Sequence, residues 1–504
     1  MKKLGINTIS NIAARLWSMI SIVIFVPAYI AVLGEEAYGI VSFFVTLQTS
    51  LNILGLGLAY TLRREFAVGD DSDETLNKKY KLLKSVEIIY SVIAIVIMLI
   101  CFIFADYIAN EWLIIDTLDL KVVSQVLTLM GISIGVQLVA NLYVGCLFGL
   151  SHQLISNVYT ILWSLLKSLG ALIIIVYIKP SLILFYSYHI IIDVIYLIVL
   201  RVTLAAKLDW KNREKWTPKD FNNISLIWHF ALGIMAISII ALINRQLDVI
   251  IISNNLSVTD LGAYNVAITL GSVTAVIPSS FSMAIFPKFT NKATSNDKDI
   301  ERLFIKTNRY VSVILSALSA FLSVFALQLI LLWTKSEIYT GILGSTAFFV
   351  VLALAVIEYQ EIPYILALAF GNTKLNVWVG SLFIPLVAIS TYMAIIKYGL
   401  LGAGVVYLVM MSLETLIYLF LVYKTHTSVN PLSTLITHLI LPLGLSLCLA
   451  YISSLIIKRL NVNNTATCAL AVLFGFISLI IVLMVFCKKD IIEDYNSIKK
   501  ARNL

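Results

Sequence analysis

About fourteen apolar stretches, each long enough to cross a bilayer, succeed one another along the 504-residue chain with short polar breaks between them. A helix rises about 1.5 Å per residue, so about 20 apolar residues span the roughly 30 Å hydrocarbon core. Hydrocarbon offers no water to unpaired amides, and such stretches are therefore expected to be helices. They fall at 9–32, 38–61, 85–105, 122–149, 154–178, 181–204, 226–253, 260–286, 309–333, 341–370, 375–396, 400–423, 435–457 and 467–487. Hydrophobic residues make up 60% of the sequence and charged residues 13%, with a mean hydropathy of +0.95. That leaves no length for a large domain outside the membrane, which excludes enzymes that carry a nucleotide or metal site on a soluble module. The expected fold class is an all-α polytopic membrane protein.

Orientation follows from lysine and arginine, which resist translocation. With the amino terminus inside, as Lys2 and Lys3 suggest, 27 of the 36 basic residues lie in cytoplasmic segments or at the span ends that border them, 6 lie outside and 3 lie deeper within spans. The split predicts an even number of spans with both termini cytoplasmic. It also accounts for the net charge of +8, because basic loops face anionic lipid, so nucleic acid is not an expected partner. Lys2 and Lys3 precede an apolar run without an A-x-A cleavage pattern, which predicts that the first span is retained.

Catalytic patterns are missing from the sequence: there is no HExxH, no GxGxxG after a strand and no P-loop, so no catalytic residue, metal or cofactor is expected. The five cysteines, Cys101, Cys146, Cys448, Cys468 and Cys487, lie in or at the ends of spans without CxxC spacing and read as apolar fillers. Gly131-x3-Gly135 and Gly145-x3-Gly149 in the fourth span have the spacing that lets helices approach closely, or alternatively flex.

A short internal echo divides the chain. Leu33-Gly34-Glu35-Glu36-Ala37-Tyr38-Gly39 after the first span is answered by Asp260-Leu261-Gly262-Ala263-Tyr264 after the seventh, with the Ala-Tyr pairs 226 residues apart. Six spans intervene, so both copies run in the same direction, which predicts two parallel six-helix lobes around a central cavity. The expected division is a first lobe at 1–205, a basic cytoplasmic linker at 206–225, a second lobe at 226–424, two added spans within 425–487 and a cytoplasmic tail at 488–504.

Charges within spans cost about a few kcal/mol unless they meet a partner or a wet cavity, which makes them the functional clues. Lys167 and Asp193 reach the same depth in the antiparallel fifth and sixth spans and read as a structural ion pair, with His189 a possible third member. Arg245 and Asp248 can satisfy each other at i, i+3, yet Asn244 and Gln246 make that stretch polar around much of its circumference, as a cavity-lining segment would be. Arg15 either snorkels to the inner interface or faces the same cavity. The 226-residue offset carries it to within one turn of Arg245. Two arginines lining one cleft favour an anionic ligand, and their forked donors suit phosphate. Glu358 and Glu361 beside Gln360 and Pro363 are candidates for proton or sodium coupling, or else polar neighbours of a proline kink.

The chain resembles the Wzx-type lipid-linked oligosaccharide flippases, within the larger group that includes the multidrug and toxin extrusion exporters. The resemblance is carried by Asn11 and Arg15 running through Pro27-Ala28-Tyr29-Ile30 to Leu33–Gly39, by Leu54-Gly55-Leu56-Gly57, and by Arg245-Gln246-Leu247-Asp248 through Gly262-Ala263-Tyr264 to Phe286-Pro287. It implies a V-shaped pair of lobes, the first and seventh spans at the cavity, and alternating access. The implied substrate is an undecaprenyl-pyrophosphate-linked repeat unit, handled with membrane lipid and other polysaccharide assembly proteins for O-antigen, lipopolysaccharide or other surface polysaccharide. Arg15, Arg245, Asp248 and Asn244 are the expected substrate-binding residues. An organic-cation exporter of the same fold would want an acidic, aromatic site, and a glycan polymerase or ligase usually needs a larger outer loop than the 16 residues at 106–121.

Overall fold

The computed structural model describes residues 2–68, 72–221, 238–240, 242–243, 246–294, 299–372, 374–488 and 490–492. Its elements are helices: α1 (Lys2–Leu33), α2 (Glu35–Ala67), α3 (Asp73–Tyr107), α4 (Leu120–Gly149), α5 (Gln153–Tyr177), α6 (Leu182–Lys207), α7 (246–255), α8 (Val258–Ser272), α9 (Val276–Thr294), α10 (Asp299–Val324), α11 (Ala326–Thr334), α12 (Glu337–Leu343), α13 (Thr346–Glu358), α14 (Glu361–Ala369), α15 (Lys374–His426), α16 (Pro431–Leu435), α17 (Leu441–Leu460) and α18 (Asn464–Phe486). Among the described residues, ten helical segments are long and apolar enough to cross a membrane.

Several helices begin well before their apolar runs. α3 starts at Asp73, where Ser72 accepts the Thr75 amide and Asp73 and Glu74 face the positive end of the helix dipole. α10 starts at Asp299, and its first turns bury Ile300 and Phe304 while Arg302 and Lys306 keep the stretch too polar to read as a span. α15 joins the expected eleventh and twelfth spans across Gly399, whose φ of 59° and ψ of −142° break the helix where only glycine is comfortable. The expected tenth span is three helices. Gly344, at φ 46°, separates α12 from α13, and a further break at Tyr359–Gln360 separates α13 from α14. Pro363 explains the second break: it has no amide to bond four residues back, and it falls in the first turn of α14, where none is needed. Glu358 and Glu361 consequently sit on different helices, not on one continuous face.

The chain forms two compact units, Met1–Gly262 and Ala263–Leu504, so α7 packs with the first unit although it follows the linker at 206–225. In the first unit α4 is the central helix, packed by α2, α3 and α6. Its glycines set the spacing, because lipid supplies no hydrophobic drive between helices and close backbone approach matters most. A Cβ on Gly131 would sit 2.3 Å from the Cys101 Cβ of α3, and one on Gly149 would sit 2.6 Å from the Arg63 carbonyl of α2. In the second unit α17 and α18 pack on α10, whose contact face is rich in serine and alanine. Phe321 lies 3.3 Å from the Cβ position of Gly475.

Candidate functional site

Asp193, on α6 and fully buried, collects donors from two other helices. Lys167 of α5 approaches both carboxylate oxygens at 3.0 Å, the Trp163 indole donates at 2.8 Å, and Gln137 of α4 donates at 2.9 Å. Ser133, one turn before Gln137, donates as well, and Gln137 in turn receives a hydrogen bond from Gln48 of α2. The Lys167 ammonium also lies 5.1 Å from the Trp163 ring centre. With its oxygens occupied in this way, Asp193 ties α4, α5 and α6 together, and Gln48 joins α2 to the same network. His189 does not join the pair. Its ring packs 4.2 Å from Phe185 and 5.6 Å from Tyr186, and neither ring nitrogen has a hydrogen-bond partner.

Arg15 lies on α1, but its side chain is outside the described set, and Asn244 and Arg245 lie outside the described residues altogether. Asp248, on α7, is 2% exposed. The stretch of α1 around Arg15 is fixed by a neighbour that the sequence reading assigns no such role. Asn11, one turn before Arg15, donates to Gln153 at 2.9 Å and accepts from Asn157 at 2.6 Å, and Asn157 also donates to Ser10 at 3.0 Å. Gln153 and Asn157 stand at i, i+4 on α5, so the polar spacing within that apolar helix is the signal that would have found this anchor.

Glu358 and Glu361 are half-buried at the break between α13 and α14. The intervening Gln360 donates to Thr415 of α15 at 2.7 Å, and Thr415 donates to the Val356 carbonyl at 3.3 Å, which holds the break against the twelfth span. Tyr359 and Ser316 of α10 share a hydrogen bond of 2.6 Å. Among the described residues no three His, Cys, Asp or Glu side chains gather as metal ligands do.

The linker segment after α6 is docked on the start of α3. Arg213 donates to Asp73 at 3.0 Å and to the Leu208 carbonyl at 2.9 Å, the Trp216 indole donates to Ser85 at 2.9 Å, and Lys84 sits 4.0 Å above the Trp210 ring. Lys81 donates to Glu214, and this bond, helped by Asn77, holds the Glu214 carboxyl below the usual range.

Long apolar helices in two compact units, with polar clusters buried between helices, define an all-α multi-pass membrane protein. The sequence matches the polysaccharide biosynthesis protein family over residues 3–292, more than half of the chain, and the protein belongs to that family. A solved lipid II flippase, MurJ, in an inward closed conformation, matches over 96% of this chain and 99% of its own, with a TM-score of 0.73 and 14% identity. An inward-facing multidrug resistance MATE family transporter of the MOP superfamily matches over 82% of this chain and 94% of its own, with a TM-score of 0.67 and 13% identity. The Vibrio cholerae MATE transporter VcmN in its bent form matches over 86% and 98%, with a TM-score of 0.55 and 13% identity. At these identities the likeness is one of fold. Comparison with curated proteins gives no match.

Proposed function

We propose that the protein is a flippase that carries a polyprenyl-pyrophosphate-linked oligosaccharide from the inner to the outer leaflet of a bacterial cytoplasmic membrane by alternating access. The observation that carries this reading is the polysaccharide biosynthesis family match over residues 3–292, joined to the full-length fold likeness to a lipid II flippase. The chemistry agrees with it. A pyrophosphate with sugars needs a polar, basic path, the prenyl tail can stay in lipid, and no covalent step is required. In this reading Arg15 and Arg245 neutralise the pyrophosphate, Asn244 and Asp248 complete the polar path, and Glu358 and Glu361 carry a coupling proton or sodium ion. Lys167 and Asp193 are structural. The lobes are 1–205 and 226–424, both termini are cytoplasmic, and the cargo serves O-antigen or another surface polysaccharide.

Reconstitution in vesicles with a labelled prenyl-pyrophosphate oligosaccharide tests the proposal by scoring transfer between leaflets. Arg15→Gln or Arg245→Gln is expected to reduce transfer about tenfold or more, the loss of one charge-assisted contact, while Lys at either position restores only part because the fork is lost. Glu358→Gln or Glu361→Gln is expected to flatten the response to a proton or sodium gradient. Normal transfer by the arginine variants would sink the assignment of the path. A second reading, export of organic cations, is supported by the MATE transporter folds. Saturable binding of a fluorescent cation with no transfer of the lipid-linked sugar would favour it.

A further inference from the structure

Positive charge on an inner loop is expected of any chain with this topology, but the fold decides which of those cations remain free. Around the docked linker most do not. Lys78 pairs with Glu74, Lys84 and Arg201 with Glu87, Arg213 with Asp73 and Lys81 with Glu214. The linker's own acids are engaged in the same way: Glu214 by Lys81, Asp209 by the Asn212 side-chain amide at 2.7 Å, and Asp220 by the Thr217 amide at 2.7 Å. Four lysines are left over. Lys207, Lys211, Lys215 and Lys219 are exposed, and among the described residues none has an ion-pair or hydrogen-bond partner. Trp210, Arg213, Trp216 and Asp220 turn toward α3 to dock the linker, so the lysines that alternate with them turn away from it.

Each free lysine also lies level with the inner end of an apolar span. Lys207 follows the sixth span by less than one turn. Lys211 adjoins Trp210, whose ring lies 4.0 Å from the Lys84 ammonium, and Lys215 adjoins Trp216, whose indole donates to Ser85 at 2.9 Å. Lys219 adjoins Asp220, whose carbonyl accepts the Ser85 hydroxyl at 3.3 Å, and Ser85 opens the third span. The linker therefore leaves and returns at one level, the layer of about 5–8 Å that headgroups occupy beside the hydrocarbon. Consecutive lysines stand four residues apart, about 6 Å if helical and up to about 13 Å if extended, which makes a row and not a cage. One soluble phosphate ion cannot engage such a row, whereas a surface of separate phosphate headgroups meets every member. An acidic protein would have to reach the row at a depth that lipid already fills.

We propose that Lys207, Lys211, Lys215 and Lys219 form a binding site for anionic phospholipid headgroups, built by the docking of the linker on α3 and independent of what the protein carries. Full-length protein in neutral detergent, given equal amounts of phosphatidylglycerol and phosphatidylcholine and then washed, has its retained lipids counted by mass spectrometry. The native chain is expected to retain the anionic lipid about tenfold over the zwitterionic one, with the preference falling as salt rises. Lys207→Gln, Lys211→Gln, Lys215→Gln and Lys219→Gln together are expected to bring it to about twofold, while Arg at all four positions keeps it, because a charged surface asks for sign and not for a fork. Lys211→Gln/Lys215→Gln is expected to lower the preference about threefold, and Lys374→Gln/Lys424→Gln, two exposed cations at the ends of α15, to leave it unchanged. Equal losses in the two pairs, or an undiminished preference in the four-glutamine variant, overturn the site, and equal unfolding midpoints check that the variants fold.

A second readout gives the location. Ala206 is exposed beside Lys207, and in an Ala206→Cys protein in nanodiscs, labelling by a neutral maleimide is expected to slow about fivefold when phosphatidylglycerol replaces phosphatidylcholine. The four-glutamine background is expected to remove most of that slowing. Labelling at the same rate in both lipids overturns the lipid site and leaves the row to an acidic soluble partner.

Discussion

The pair at Lys167 and Asp193 shows what a charge inside a membrane helix needs in order to persist. Lys167, Trp163, Ser133 and Gln137 all donate to Asp193, so the desolvation of the pair is offset by direct bonds. Removing one partner leaves the other buried and uncompensated. Asp193→Leu is expected to lower stability by about 3–5 kcal/mol, read as a fall in the thermal unfolding midpoint in detergent. Adding Lys167→Met to that variant is expected to recover most of the loss, because apolar replacements of similar volume pack where the pair was. A double variant no more stable than Asp193→Leu would show that the surrounding network, not the uncompensated lysine, sets the loss. Asn11 acts on the same scale with neutral groups, holding α1 to α5 one turn from Arg15.

At the scale of elements, the breaks matter as much as the helices. Gly399 adopts φ 59° and ψ −142°, a conformation other residues reach only at about 1–3 kcal/mol of strain. Gly399→Ala is therefore expected to destabilise by that amount, whereas Gly444→Ala, within α17 and with nothing near its Cβ position, is expected to be neutral or to stabilise by up to about 1 kcal/mol. Paired unfolding curves check both, and equal effects would remove the argument. The docked linker is expected to respond to pH. The Glu214 carboxyl is lowered by its bond from Lys81, so the contribution is present above the ordinary value of about 4.3 and is lost as pH falls through the lowered one. Emission from Trp210, in a protein with its other tryptophans replaced by phenylalanine, should change below about pH 4, and Glu214→Gln should abolish the transition.

For the whole molecule, orientation is the property that the charge pattern predicts most sharply. Reporters fused after residues 70, 215, 295 and 500 are expected to be cytoplasmic, and those at 115 and 460 external, because 27 of the 36 basic residues then lie inside. An external reporter at 215 would also move the docked linker, and with it the lysine row, to the other side of the membrane. The first compact unit runs on to Gly262, and within it the end of α7 is held by Trp112 and Ile114, contacts made across more than 140 residues of sequence.

By itself the sequence determined that the chain crosses a membrane repeatedly as helices, because the cost of unpaired amides in hydrocarbon leaves an apolar run of that length no other form. It placed many of the polar breaks between spans for the same reason, though not the breaks inside the expected ninth and tenth spans, and it held the family resemblance in the residues around Arg15 and Leu33–Gly39. It also placed Lys167 and Asp193 at one depth, since an antiparallel hairpin fixes depth by counting. Tertiary structure alone decided which donors complete Asp193, that His189 stays among aromatic rings, and that α10 and α3 extend beyond their apolar runs. It alone divided Glu358 from Glu361 by a helix break and turned the linker's four lysines away from α3. Those outcomes depend on which faces of distant helices meet, and hydropathy, which sums over all faces of a helix, does not encode that meeting.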